Sequence, residues 1–199
     1  MASTLIVDQL QKTGGSTTAL TLPTANASAS QFLQNDGAGA LSWAEAGGGK
    51  ILQMVYVFTG AYATGSTTIP FDDTIPQITE GNEVMTLAIT PTSASSKLLV
   101  NVAVSGASNV QGNWTAALFR DSTANALAAA QTKQSDSTPD HIDHLHLMWV
   151  ADADSTSATT FKVRCGQTNA GDWYFNGQNA SRWYGGASNS GITITEVGA

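Results

Sequence analysis

Short runs of hydrophobic residues that alternate with polar ones recur along most of this chain. In residues 97–105 the apolar side chains stand at every second position, from Leu98 to Val104. A period of two indicates a β-strand with one buried face. Residues 51–58 form a nearly continuous apolar run, and further strand-like runs, separated by Gly, Asn, Asp, Ser and Pro, occupy residues 84–90, 113–119, 141–151, 160–165, 172–175 and 191–197. The pattern predicts about eight strands, the number typical of a jelly roll, whereas residues 124–131 fit either a helical turn or a strand.

The first 45 residues follow a different pattern. Two short apolar strips, residues 5–7 and Leu20 with Leu22, flank a Thr-Gly-Gly-Ser turn, and Asp36-Gly37 predicts a second turn. Such strips are too small to bury themselves. We therefore predict an all-β chain in three parts: a small β-rich docking or trimerisation segment (1–45), a glycine-rich joint (46–49) and a jelly-roll-like β-sandwich (50–199).

Composition excludes several classes of protein. Charged residues make up only 12% of the 199, and the net charge is −7, whereas a nucleic-acid surface needs clustered basic residues. No run is long enough for a transmembrane helix, and the N-terminus lacks the basic region of a signal peptide. Cys165 is the one cysteine, so the fold must rely on packing or association. These features predict a soluble protein that is made in the cytoplasm.

Part of the chain is similar to known phage proteins. The N-terminal run that leads into QFLQNDGAGALSWA resembles the segments preceding the distal domains of bacteriophage tail-fibre and virion-surface proteins. The stretch from GKILQMVYVFTG to KLLVNVAV resembles a domain of marine and freshwater phage structural proteins, and GITITEVGA resembles its terminal strand. The resemblance covers residues 1–105 and 190–199 and includes no catalytic motif. It implies a virion protein, commonly a homotrimer, at a tail fibre, a head fibre or the capsid surface.

A late aromatic cluster is the candidate site for host contact. Its rings lie among Gly, Asn and Gln in GDWYFNGQNASRWYGG. Exposed ring faces can stack on sugars while amide groups bind their hydroxyls. The glycan-binding candidates are Trp173, Tyr174, Trp183 and Tyr184. The alternative is that these rings close one end of the sandwich or a subunit interface.

All three histidines of the chain lie in HIDHLH, residues 141–146. Strand alternation places His144 and His146 on one face and His141 on the other, so the three cannot converge on one metal. His144 and His146 could bind a metal only if three chains brought their pairs to a common axis. Otherwise they are interfacial or solvent-facing histidines, and we expect Leu145, Leu147 and Trp149 to face the core.

Other chemistry has weaker signals. Four carboxylates, Asp72, Asp73, Glu80 and Glu83, could bind calcium or act as a catalytic pair, but we favour a solvated loop between strands. No nucleophile elbow or phosphate loop is present. We therefore predict no enzyme and no cofactor.

Together these features predict a structural protein of a tailed-phage virion, exposed as a trimeric short fibre, a capsid decoration or a tail-fibre component. It would assist attachment to host glycans or stabilise the particle, after assembly in the host cytoplasm. Its partners would be copies of itself and other capsid or tail proteins, with neither nucleic acid nor membrane insertion. The alternative is a jelly-roll carbohydrate-active enzyme or a lectin-like sugar-binding module.

Overall fold

A computed structural model describes residues 9–10, 20–29, 31–38, 40–45, 50–135 and 142–199. The chain divides into two units, residues 1–50 and 51–199. Four predicted features lie outside the described residues: the apolar strip at 5–7, the Thr-Gly-Gly-Ser turn, the joint at 46–49 and the orientation of His141.

The first unit is built from short β-ladders. Its described strands are β1 (Gln9–Leu10), β2 (Leu20–Thr21), β3 (Gln31–Asn35) and β4 (Leu41–Glu45). Strand β1 pairs with β2, and β3 forms a hairpin with β4. The Asp36 carboxylate accepts hydrogen bonds from the backbone of Ala38 and Ala40, and Gly37 has a φ of 82°. The predicted turn at Asp36-Gly37 is therefore confirmed, because a positive φ suits glycine.

The described residues of the second unit also form strands, together with a 3₁₀ turn at Trp183–Gly186. Residues 124–131, whose pattern fits either a helical turn or a strand, form a strand from Ala128 onward. The strands are β5 (Ile51–Thr59), β6 (Ala63–Gly65), β7 (Asn82–Ile89), β8 (Lys97–Ser108), β9 (Gly112–Arg120), β10 (Ala128–Gln134), β11 (Asp143–Asp152), β12 (Thr159–Gln167), β13 (Trp173–Phe175), β14 (Gly177–Gln178), β15 (Ser181–Arg182) and β16 (Ser190–Val197).

The eight long strands form two antiparallel sheets in jelly-roll order. The front sheet runs β5-β16-β8-β11, and the back sheet runs β7-β12-β9-β10. Counted along the chain, these strands are 1-8-3-6 and 2-7-4-5, the order produced by two interlocked Greek keys. Strands β13 and β6 extend the front sheet beyond β16 by pairing with the last residues of β8. The predicted all-β jelly-roll sandwich is confirmed.

One hydrophobic core fills the space between the sheets. The alternation in β8 places Leu98 and its alternating partners in this core, as the sequence predicts. Leu145 and Leu147 of β11 are buried there too, as predicted. The prediction is wrong for Trp149, which is 39% exposed near the end of the edge strand β11. The back sheet contributes Trp114, Ala116, Leu118, Phe161, Val163 and Cys165. Burying a Leu, Val or Phe side chain stabilises a fold by about 1.5–3 kcal/mol.

Part of the outer face of the back sheet, along β9, is covered by the chain itself. Residues 66–81 lie across it, and Ile69 donates a backbone hydrogen bond to Gln167 at 3.1 Å. Arg164 donates from its guanidinium to the carbonyls of Glu80 and Gly81. Outward-facing Ala117 and Phe119 of β9 are consequently buried beside Ile69 and Ile78. The front sheet has the opposite character on its outer side.

Candidate functional site

The outward side of the front sheet is an exposed and largely apolar surface, called here the open face. Register places its side chains in three rows across β11, β8, β16 and β5. The rows are Val150–Leu99–Thr195–Met54, Met148–Asn101–Thr193–Tyr56 and His146–Ala103–Gly191–Phe58. Large side chains stand on the two edge strands, and smaller ones mostly line the middle.

Five large side chains of the open face are well exposed. They retain between 57% and 76% of their surface and are Met54, Tyr56, Phe58, Met148 and Val150. The rings of Tyr56 and Phe58 contact each other with centroids 5.7 Å apart. A Cβ on Gly191 would lie 2.2 Å from the Phe58 ring, so that ring leans over the middle of the sheet. The large side chains of β11 and β5 therefore form two ridges, and the smaller side chains of β8 and β16 form a shallow valley between them.

Sequence reasoning did not identify the open face as a site, but a signal for it exists. Residues 51–58 are almost continuously apolar instead of alternating. Such a run indicates a strand whose two faces are both covered, whereas only one face of β5 packs against the described core. Val55 and Val57 pack against the core, whereas Met54, Tyr56 and Phe58 lie on the other face of β5 and are exposed.

The histidine pair lies at one end of this face. His144 and His146 are exposed and point outward from β11, as strand alternation predicts. His144 Nδ1 and Ser105 Oγ are 2.8 Å apart and share a hydrogen bond. Within the described ranges, no three His, Cys, Asp or Glu side chains are close enough to hold a metal ion. Metal binding by these two histidines around a three-chain axis stays a prediction.

The aromatic candidates separate into buried and exposed rings. Trp173 is only 1% exposed and belongs to the core. Its assignment as a glycan contact is therefore wrong, because β13 pairs with both β8 and β6 and turns the indole inward. Tyr174 and Trp183 are partly exposed, and Tyr184 is 83% exposed. Glycan binding by these three remains a prediction.

The loop that carries Tyr184 is held at its base by a buried asparagine. The Asn176 amide donates to the carbonyls of Thr59 and Ala61 at 2.7 and 3.2 Å and accepts from Ser190 Oγ at 2.7 Å. Asn176, Asn179, Ala180 and Tyr184 all have φ between 48° and 62°. Left-handed backbone is costly for residues other than glycine and collects in ligand-binding loops.

Tyr62, which no sequence pattern singled out, packs against residues 171–186, called here the aromatic loop. The rings of Tyr62 and Tyr174 stack with centroids 6.2 Å apart, and the Ala180 amide donates to the Tyr62 hydroxyl at 3.3 Å. Partial burial, and then the nearby Asp172 carboxylate, raises the pKa of Tyr174 above its usual range. No local pattern could have found Tyr62, since it lies more than a hundred residues before its partners.

The acidic stretch does not form a site in the described structure. Thr74 donates two hydrogen bonds to Asp72, which lower the pKa of that carboxyl. Glu80 accepts from the Gln77 backbone at 2.9 Å, and Glu83 is within 4.0 Å of both Lys162 and Arg164. These carboxylates have separate partners, as expected for a loop that they help to shape.

Two reactive groups are buried in structural roles. Cys165 is fully buried, and burial raises the pKa of its thiol far above the usual range. The Glu196 carboxylate is 0% exposed and lies at the end of β16. Burial raises its pKa, but hydrogen bonds from Ser96, Gln53, Thr92 and Ser93 outweigh that effect and hold the pKa at about 2. In the described part of the chain, neither group faces a cavity that a substrate could enter.

Comparison with known proteins finds distant likenesses. The chain matches no protein-family model and no curated protein sequence. Among solved structures, it is similar to Eiger TNF from S. frugiperda, at 13% identity and a TM-score of 0.45, over 72% of this chain and 92% of that one. It is also similar to VP2 of infectious bursal disease virus, at 11% identity and a TM-score of 0.35, over 79% of this chain and 35% of that one.

An exo-β-1,3-galactanase from Phanerochaete chrysosporium, solved with galactose, aligns at 12% identity and a TM-score of 0.28, over 81% of this chain and 32% of that one. The chain thus spans about a third of the viral and galactanase chains it aligns with. None of the helices in the described ranges is long and apolar enough to cross a bilayer.

Proposed function

We propose that this chain is a non-catalytic structural protein of a tailed-phage virion, assembled as a homotrimer and exposed on the particle surface. The observation that carries the proposal is that the reactive groups are buried while large apolar side chains are exposed. Cys165 and Glu196 are sealed in the interior, while large apolar and aromatic side chains lie outside on the open face and the aromatic loop. Such a molecule works through contact surfaces and not through a reactive pocket.

The virion assignment is supported by the resemblance of residues 1–105 and 190–199 to phage structural proteins. A small first unit with exposed Phe32 and Leu33 suits docking onto capsid or tail proteins. A single buried cysteine suits assembly in the reducing host cytoplasm, and a net charge of −7 disfavours a nucleic-acid partner.

The experiment that tests the location is a reconstruction of intact particles with a Fab raised against residues 51–199. We expect Fab density on the outside of undisrupted virions, at either the capsid or the tail. Labelling that appears only after particles are broken would contradict a surface role. The same density distinguishes a capsid decoration from a fibre.

The aromatic loop favours a second role, which is glycan attachment. Tyr184 is 83% exposed on a left-handed turn, beside the Tyr62–Tyr174 stack. Aromatic faces of this kind stack on sugar rings. Glycan-array binding should fall at least tenfold in Tyr184→Ala and persist in Phe71→Ala, an exposed aromatic elsewhere on the domain. Equal loss in both variants would contradict the assignment.

The rival function is a carbohydrate-active enzyme. In the acidic stretch, Asp72, Glu80 and Glu83 each have partners of their own, so we expect no hydrolysis of host polysaccharide by the purified chain. Release of reducing sugar that survives extensive purification would favour the enzyme over the structural protein.

A further inference from the structure

We propose that the open face is a self-association surface on which a second copy of this chain packs. The inference deepens the proposed homotrimer by naming the surface that joins its copies, and it rests on that proposal for their number.

In the described residues, the apolar side chains on the outer side of β9 are covered, whereas those on the outer side of the front sheet are exposed. Residues 66–81 bury the outward side chains Ala117 and Phe119 of the back sheet. The corresponding side chains of the front sheet, such as Tyr56 and Met148, remain exposed. A contiguous exposed apolar patch marks an interaction surface, so the open face is the part of the described structure best suited to a partner.

The exposed apolar area of the open face can be compared with the area that a subunit interface buries. An aromatic side chain carries roughly 150–250 Å². At the lower end of that range, the 57–76% that the five side chains of the open face retain amounts to on the order of 500 Å². The largest apolar patch of a typical monomer is about 300–600 Å². A stable interface buries about 800 Å² on each partner. An interface of that size on the open face would therefore take in the remaining positions of the three rows as well.

The three rows of the open face carry no acidic side chain, lysine or arginine. The first ion pair, Lys97 with Asp152, lies in the next row and marks the rim. Two copies of a chain with a net charge of −7 repel each other, and they can meet with least repulsion where neither carries charge. A charge-free centre inside a polar rim is the composition of a subunit interface.

The shape of the open face also suits a second copy. Two depressions of about 250 and 260 Å³ lie along its middle, one beside Met148 and Val150 and the other beside Phe58 and Ala103. The ridges stand on the edge strands β5 and β11. A ridge of one copy can therefore enter the valley of the next, and a head-to-tail contact of this kind closes into a ring when the rotation permits.

The test places a lysine on each ridge of the full-length chain. Tyr56→Lys and Met148→Lys act on opposite edges of the face, so a folding defect in one leaves the other informative. The matched control is Phe71→Lys, because Phe71 and Tyr56 are both 61% exposed and Phe71 lies outside the open face. Mass is measured by light scattering after size exclusion, with circular dichroism as the check on folding.

We expect a trimeric mass for the wild-type chain and for Phe71→Lys, and a single-chain mass for folded Tyr56→Lys or Met148→Lys. A trimer that survives both ridge substitutions would overturn the inference while leaving the homotrimer intact. A trimer that Phe71→Lys disrupts as readily would overturn it too. A monomeric wild-type chain would overturn both the inference and the proposed homotrimer.

A thiol probe identifies the occupant. Thr193→Cys places a thiol in the valley, and Cys165 is too buried to react in the folded chain. If a second copy covers the face, protection of the introduced thiol from a maleimide should rise with chain concentration and disappear when Tyr56→Lys is added. Protection that is independent of concentration in a monomer would mean that residues 1–50 of the same chain cover the face, and it would overturn the inference.

Discussion

The buried carboxylate of Glu196 gives the sharpest prediction about the stability of this protein. Its oxygens accept hydrogen bonds from Ser96 Oγ at 2.5 Å, Gln53 Nε2 at 2.6 Å and the backbone amides of Thr92 and Ser93 at 2.9 and 3.2 Å. The carboxylate thereby joins β16 to β5 and to the loop before β8. Replacing it in Glu196→Gln keeps the size of the side chain and removes the charge that these donors stabilise.

The magnitude follows from the pKa. A folded-state pKa of about 2, against an ordinary value of 4.5, corresponds to about 3 kcal/mol of stabilisation. Because the folded pKa is the lower one, this contribution is fully present above pH 4.5 and is lost as the pH falls toward 2. Glu196→Gln should therefore be about 3 kcal/mol less stable than the wild type at pH 7 and nearly equal to it at about pH 2.

The assay is urea unfolding followed by tryptophan fluorescence, at one chain concentration and at several pH values between about 7 and 2. With a urea m value of about 2 kcal/mol/M, the midpoint should fall by roughly 1.5 M at neutral pH. The control is Glu83→Gln, whose partly exposed ion pairs should contribute less than about 1 kcal/mol. The reasoning is refuted if Glu196→Gln matches the wild type at neutral pH, or if its deficit is unchanged in acid.

Three further predictions concern the interior and the aromatic loop. Cys165 should not react with a thiol reagent in the native chain and should react fully in guanidinium, as absorbance of the released thiolate would show; native reactivity would contradict its burial. Asn176→Ala should lower the free energy of unfolding by about 3 kcal/mol, because it leaves the buried partners of the amide unpaired; a smaller loss in denaturant titration, under about 1 kcal/mol, would show that the loop base is not held as described. Trp173→Ala should lower the free energy of unfolding by about 3–5 kcal/mol in the same titration. Tyr184→Ala should change it by less than about 0.5 kcal/mol. Similar values for the two variants would contradict the assignment of Trp173 as buried and Tyr184 as exposed.

Local sequence determined the strands and the direction of their side chains. Alternation in residues 97–105 and 141–151 predicted which residues face the core, because successive side chains of a strand point to opposite sides. The same rule correctly placed His144 and His146 together on the outward side of β11. The Asp36-Gly37 dipeptide likewise predicted a turn, and Gly37 has the positive φ that glycine readily adopts.

Tertiary structure decided which of these surfaces are covered. Nothing local to Trp173 or Tyr184 shows that one ring is buried and the other exposed, because Trp173 is enclosed by β8 and β6, which are distant in sequence. The covering of the back sheet by residues 66–81, and the exposure of the front sheet, depend on long-range pairings such as β5 with β16. Periodicity specifies the two faces of a strand, but only the packing of distant segments determines which face still meets water.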